Sequence, residues 1–265
     1  MKTENRYAIY RSVMQVLIEH DVEFLVGGAY ALAQYTGVER DTKDFDLLIR
    51  PTQVDQALAV WREAGYQAEY TFTHWLAKVR SAEVFVDVIF CSGNGLCQID
   101  DIWFQKASRA TVFGINALIV PPEELVWQKA YIMERERFDG ADVIHLIARC
   151  GPTLDWDRLL KRFDKDWRVL WSHLILFGYV FPSKRDIIPL RIVQELNARV
   201  EGEHCGPLSE DKTCNGTFLS RSQYLSDIAT GDFIDARAEK RCRMTPEERE
   251  LWTGAGATPT VYPPR

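Results

Sequence analysis

Two adjacent glycines, Gly27 and Gly28, close the short apolar run Phe24-Leu-Val26 and stand directly before the helix-forming stretch Ala29 to Tyr35. Glycine adopts left-handed backbone torsions at no steric cost and lets another group approach the main chain, so the pair marks a sharp strand-to-helix turn. Such a turn points the free amides of a helix N-terminus outward, a setting that favours an anion. The rest of the N-terminal half must alternate around it. Tyr7, Val13, Val16 and Leu17 recur near helical spacing, which predicts a helix over about 4–20. Phe45 to Ile49 reads as a second strand stopped by Arg50-Pro51, and Thr52 to Ala64 as a helix capped by Thr52 and ended by Gly65. Strands follow at roughly 75–80 and 83–90, with Ser81-Ala82 as the hairpin turn, and Ala110 to Val120 is a last strand-rich piece.

The regime changes at Pro121-Pro122-Glu123-Glu124, since prolines and acids suit a helix's first turn and the spacing is helical from there to about residue 200. The expected organisation is therefore a sheet-bearing domain over 1–120, a helical domain over 121–200 and an irregular extension over 201–265. The fold class is α+β, a mixed sheet flanked by helices. With 46% hydrophobic residues the chain can bury a core, and its formal charge of −6 argues against a broadly basic surface while allowing a local basic patch. The start lacks the apolar core of a signal peptide, and the run Trp171 to Phe181 is too short to cross a bilayer. A cytoplasmic protein with no membrane partner is expected. The six cysteines contain no CxxC pair, and His204, Cys205, Cys214 and Cys242 have spacings that fit no standard zinc site.

Chemistry is suggested by the carboxylates. Side chains two apart in a strand share a face, so Asp44 and Asp46 point together while Phe45 and Leu47 enter the core. Close like charges are costly without a cation, and oxygen donors suit Mg²⁺ or Mn²⁺. The run Val84-Phe-Val-Asp-Val-Ile-Phe90 carries one acid, Asp87, which either is hydrogen-bonded structure or supplies a third ligand.

The order of these features, FLVGGAYALAQYTGVERDTKDFDLLI followed by VFVDVIF, resembles the polymerase-β-like nucleotidyltransferase superfamily. More narrowly, GGxxAL with TKDFDLLI and a helical half looks like the AbiEii-type toxins and related uncharacterised bacterial nucleotidyltransferases. The resemblance implies transfer of a nucleoside monophosphate from an NTP with release of pyrophosphate. It implies divalent metals at Asp44, Asp46 and Asp87, with Asp46 bridging and Asp87 able to accept a proton. Gly27 and Gly28 would receive the triphosphate, assisted by Thr42 and Lys43. The superfamily usually places Ser or Thr after the glycines, whereas Ala29 and Tyr30 stand here.

In the helical half, Leu125, Lys129, Ile132 and Met133 share a helix face, so Lys129 either snorkels outward or faces inward with a task. KAYIMERERFDGADVIHL resembles the lysine and later Asp-x-x-Asp of the AbiEii-type proteins, at Lys129, Asp139 and Asp142. That implies a triphosphate contact for Lys129 and acceptor positioning or a base for Asp142, with His145 as its partner or as a core residue. Arg40 flanks the acids and would meet phosphate. Acceptors implied are RNA or tRNA first, then a protein hydroxyl or a small molecule, and a toxin-like chain would have an antitoxin-like protein partner. The alternative is an inactive nucleotide-binding or partner-binding module.

Overall fold

The computed structural model describes residues 3–40, 42, 44–81 and 84–255. The chain opens on α1 (Thr3–Glu19), whose Tyr10, Val13, Met14 and Leu17 are buried at i, i+3, i+4 and i+7. Then β1 (Leu25–Val26) passes through Gly27 into α2 (Gly28–Thr36), which ends at Gly37 in the left-handed region. There follow β2 (Asp46–Leu48), α3 (Val54–Glu63), β3 (Gln67–Phe72), β4 (Leu76–Ser81), β5 (Val84–Ile89), α4 (Asp101–Gln105), β6 (Ser108–Val112) and β7 (Ile115–Ile119). Among the described residues, seven of these strands make one mixed sheet in the order β3-β4-β5-β2-β1-β7-β6. Within it β1 runs parallel to β7 and β2 parallel to β5, while the remaining pairs are antiparallel. The α+β expectation of a mixed sheet flanked by helices holds.

Several details differ from the sequence expectation. Helix α3 starts at Val54, behind a 3-10 turn over Pro51–Gln53, with Gln53 at its N-cap and no side-chain cap, so Thr52 does not cap it: Pro51 tightens the entry into a turn first. The strand β3 was not expected, because four of its six side chains are exposed and it lies at the sheet's edge, where apolar alternation is weakest. The stretch 110–120 is a hairpin rather than one piece: Phe113 and Gly114 both adopt positive φ, 50° and 83°, as a two-residue hairpin turn between right-twisted strands requires. The turn expected at Ser81-Ala82 falls partly outside the described residues, since Ala82 is not among them.

Helices α5 (Pro122–Ala130), α6 (Gly140–Cys150), α7 (Trp156–Phe163), α8 (Trp167–Val180) and α9 (Leu190–Cys205) follow. Pro122 sits in the first turn of α5, where a missing N–H costs nothing. Helical structure is interrupted between α5 and α6 by a turn closed by a Met133–Phe138 bridge. Arg162 ties the halves together, reaching Asp100 (2.6 and 2.9 Å) ahead of α4 and the buried Glu124 of α5 (3.0 Å). One contiguous core runs from Tyr10 through the sheet and helices to Cys242. Beyond α9 the chain forms β8 (Thr213–Cys214), α10 (Leu225–Ala229), β9 (Ile234–Asp235) and α11 (Pro246–Ala255), and it straps back over the body. Asn94 donates to the Phe218 carbonyl (2.9 Å), Arg241 to Asp166 (2.5 Å), and Trp252 packs edge-on against Phe72 and Trp75. No helix among the described residues is long and apolar enough to cross a membrane.

Candidate functional site

The alternation of β2 turns Phe45 into an aromatic cluster with Tyr10, Tyr30 and Phe113, and so turns Asp44 and Asp46 the other way. The parallel register of β2 with β5 sets Asp46 directly beside Asp87, in strands about 4.8 Å apart. Two main-chain hydrogen bonds lock this arrangement: the Asp87 amide donates to Phe45 (2.9 Å) and the Gly27 amide to the Asp46 carbonyl (3.0 Å). The glycine turn thus lies against the acids. Gly28 has φ +54°, and a Cβ there would fall 1.6 Å from Asp46 Oδ2, so both torsion and space demand glycine. The first amides of α2 emerge at this point with no side-chain cap.

Electrostatics follow from the geometry. Burial first, and the neighbouring Asp87 charge second, push Asp46 up to about 7, against the opposing charges of Lys129 and Arg137. Burial also raises Asp87, although Lys78, its cross-strand partner, places Nζ 2.8 Å from Oδ1 and favours the charged form. Asp44 is exposed at the entry to β2, where the Thr42 hydroxyl accepts from its amide and donates to its carbonyl (both 3.2 Å). Lys43 lies outside the described residues.

The helical half brings a second charged cluster to this face. Lys129 is buried, and its ammonium donates to Asp139 and Asp142, each at 2.8 Å. Arg40 pairs with the other oxygen of Asp142, and Arg137 grips Asp139 with two bonds of 2.9 and 3.0 Å. Burial works against the charge of Asp139, but Arg137 and Lys129 outweigh it and hold its carboxyl below the usual range. Lys129 therefore faces inward rather than snorkelling. His145 packs its ring towards Phe181, 6.4 Å between centroids.

The sequence reading passed over Lys78 and Arg137. Lys78 was accessible in principle: a hairpin turning between Ser81 and Val84 pairs position 78 with position 87. Arg137 gave no periodic signal, because its turn is irregular.

The donors fit a hard cation. Among the described residues no three or more His, Cys, Asp or Glu side chains are gathered closely enough to hold a metal ion as they stand. Yet the strand register sets two acids side by side, a third lies two residues along, and the inner one is pushed to about 7 by burial and its neighbour. A divalent ion held there would relieve that strain, and all-oxygen donors would suit Mg²⁺ or Mn²⁺ better than softer metals.

These features define a nucleotidyltransferase fold. Residues 2–176 match the model of the uncharacterised nucleotidyltransferase family, and the chain belongs to that family. It is a nucleotidyltransferase enzyme, consistent with the resemblance that the motif order carries. No curated protein matches the chain. Among solved structures, it is similar to the antibiotic-resistance factor ANT(2'')-Ia (13% identity, 65% of this chain and 98% of that one, TM-score 0.44). It is also similar to an antigenic nucleotidyltransferase-like protein from Paracoccidioides brasiliensis (15% identity, 71% and 93%, TM-score 0.45). A lincosamide antibiotic adenylyltransferase, lincomycin-bound, is a further such structure (14% identity, 53% and 94%, TM-score 0.38).

Proposed function

We propose that this enzyme moves a nucleoside monophosphate from an NTP to a hydroxyl acceptor, with Mg²⁺ or Mn²⁺ held by Asp44, Asp46 and Asp87. The observation that carries the reading is the pairing of Asp46 with Asp87 against Gly28, which joins a carboxylate pair to an anion-binding helix start. In the reaction the acceptor oxygen bonds to the α-phosphorus, the bond from that phosphorus to the bridging oxygen breaks, and pyrophosphate leaves. A bound cation neutralises charge on the attacking and leaving oxygens. The chain's own groups do the rest. The amides of the Gly27-Gly28 turn and the α2 N-terminus receive the triphosphate, assisted by Thr42 and by Lys43, its neighbour in sequence. Lys129 on α5 and Arg137 on the turn between α5 and α6 bring positive charge, and Asp87 takes the acceptor's proton. Asp142 orients Lys129 and Arg40, or serves the acceptor.

The likeness of TKDFDLLI and the Lys129 to Asp142 stretch to AbiEii-type toxins favours RNA or tRNA as acceptor, a cytoplasmic setting and an antitoxin-like protein partner. Protein and small-molecule hydroxyls are the competing acceptors. The test is incubation with Mg²⁺ and each α-labelled NTP in the presence of pooled tRNA, total protein or small hydroxyl compounds. Asp46→Asn and Asp44→Asn are expected to reduce label transfer on the order of a hundredfold or more. Absence of transfer to all three classes, together with no NTP-dependent thermal shift, would defeat the proposal.

A further inference from the structure

The matched family region ends at residue 176, but a segment far beyond it touches the turn that carries Arg137 and Asp139. That turn has little to hold itself in place. Its internal ties are the Met133–Phe138 bridge and the main-chain pairing of Glu134 with Arg137 (2.8 and 3.4 Å), and its tip is exposed. A short isolated hairpin of this kind does not hold one geometry in water, because ordering its backbone outweighs so few bonds. One leg is fixed from within the body, where Phe138 stacks on His173. The other leg is fixed by the C-terminal extension. The Met133 amide donates to the Leu219 carbonyl (3.1 Å), Ser220 Oγ donates to one oxygen of Glu134 (2.5 Å), and the Arg221 amide donates to the other (3.0 Å). Both oxygens of a largely buried carboxylate are thereby claimed by the tail. The Arg221 guanidinium lies over the Trp252 ring, 5.1 Å away, which anchors the clasp to the aromatic packing of α11 on the sheet.

We propose that the C-terminal extension is a positioning element of the active site: Ser220 and the Arg221 amide clasp Glu134 and so hold Arg137 beside Asp139 and Lys129, where its charge meets a bound triphosphate. This rests on the triphosphate assignment made under Proposed function. The clasp makes the extension part of the nucleotide site although none of its residues needs to touch the nucleotide. Arg137 is the effector, since its guanidinium is aligned by Asp139, which also takes the Lys129 ammonium at 2.8 Å. Displacing its turn moves both.

The experiment compares full-length wild type with Ser220→Ala, Ser220→Thr, Arg137→Ala and the Ser220→Ala/Arg137→Ala double variant. Amide hydrogen exchange over 131–139 is measured without nucleotide, and affinity for a fluorescent ATP analogue with Mg²⁺ is measured separately. Ser220→Ala is expected to speed exchange at Met133 and its neighbours and to weaken nucleotide binding about tenfold, while Ser220→Thr, which keeps the hydroxyl, restores both. Arg137→Ala is expected to weaken binding at least as much, and the double variant no further than Arg137→Ala alone, because the clasp acts through that residue. Unchanged exchange in Ser220→Ala overturns the proposal whether or not nucleotide binds. So does full additivity of the two substitutions. Wild type that binds no nucleotide, with exchange altered as expected, overturns the triphosphate reading instead and with it the clasp's role in binding.

Discussion

Asp46 and Asp139 are acids on the same face of the molecule, one from the sheet and one from the helical half, and their surroundings treat them in opposite ways. Asp139 is buried, yet its carboxyl is held below the usual range because Arg137 and Lys129 close around it. Asp46 is pushed to about 7 by burial and by Asp87, and the cations that reach it do not make up the difference. The helical cluster is a finished ion network: two acids share a lysine and two arginines. Among the described residues, the sheet's acids show one ion pair, that of Lys78 with Asp87. Charge left uncompensated by the fold is charge available to something that binds, so the contrast separates acids that the fold has already paired from acids left for a cation to pair.

The largest effect is expected where compensation is most complete. Lys129→Met leaves Asp139 and Asp142 sharing a buried setting without their common cation, a loss of about 3 kcal/mol by comparison with other broken buried pairs. For a chain of this size that lowers Tm by about 6–12 °C in thermal melts. A change of under about 2 °C would mean that Arg40 and Arg137 suffice, and the distinction between a closed and an open cluster would fall.

Much of this was readable in advance, and for a definite reason. The Gly27-Gly28 turn and the Asp44-x-Asp46 strand are local features, in which residue type and spacing alone set torsion and facing. An inward Lys129 was legible as one of two outcomes, but the stripe that suggested it is cut short, since Ile132 and Met133 lie past the end of α5, and Asp139 and Asp142 came only from the family resemblance. What escaped is carried by contacts remote in sequence: Lys78 against Asp87 depends on strand register, and Arg137 on an irregular turn pinned by Ser220, 83 positions away. The edge strand β3 escaped because a mostly exposed strand carries little apolar alternation.

Next in size is Gly28→Ala. The added methyl would meet Asp46 Oδ2 at 1.6 Å with φ at +54°, so the acid must turn away or the turn must open. A cost of about 1–3 kcal/mol is expected. Calorimetry with and without Mg²⁺ sharpens the comparison, because a shift in Asp46 should erase stabilisation by the metal as well as lower the melt itself. An equally large metal effect in the variant would place the ion away from Asp46.

Asp46→Asn works in the opposite sense. The folded carboxyl keeps its proton up to about 7, whereas the unfolded one releases it near 3.8, so its stabilising contribution is full below about 4 and is lost as pH rises towards 7. The asparagine cannot ionise. Metal-free Asp46→Asn should therefore melt about 2–6 °C above wild type at pH 8, with the gap closing towards pH 4. A gap that widens on acidification would reverse the sign and place the strained charge elsewhere.

The smallest expected effect is the most discriminating. Asp44 shares a strand face with Asp46 but stands exposed at the entry to β2, where water already solvates its charge and Thr42 engages only its main chain. Asp44→Asn in the metal-free protein should change stability by no more than about 0.5 kcal/mol, as exposed substitutions do. Its cost should appear only when Mg²⁺ is added: wild type gains stability by mass action with the ion, and the variant gains less. The two neighbouring acids thus predict different metal-free responses, a rise for Asp46→Asn and none for Asp44→Asn, and the same metal-dependent loss. If Asp44→Asn also stabilises the metal-free protein, repulsion is spread over the whole carboxylate set. Burial beside Asp87 would then no longer be what singles out Asp46.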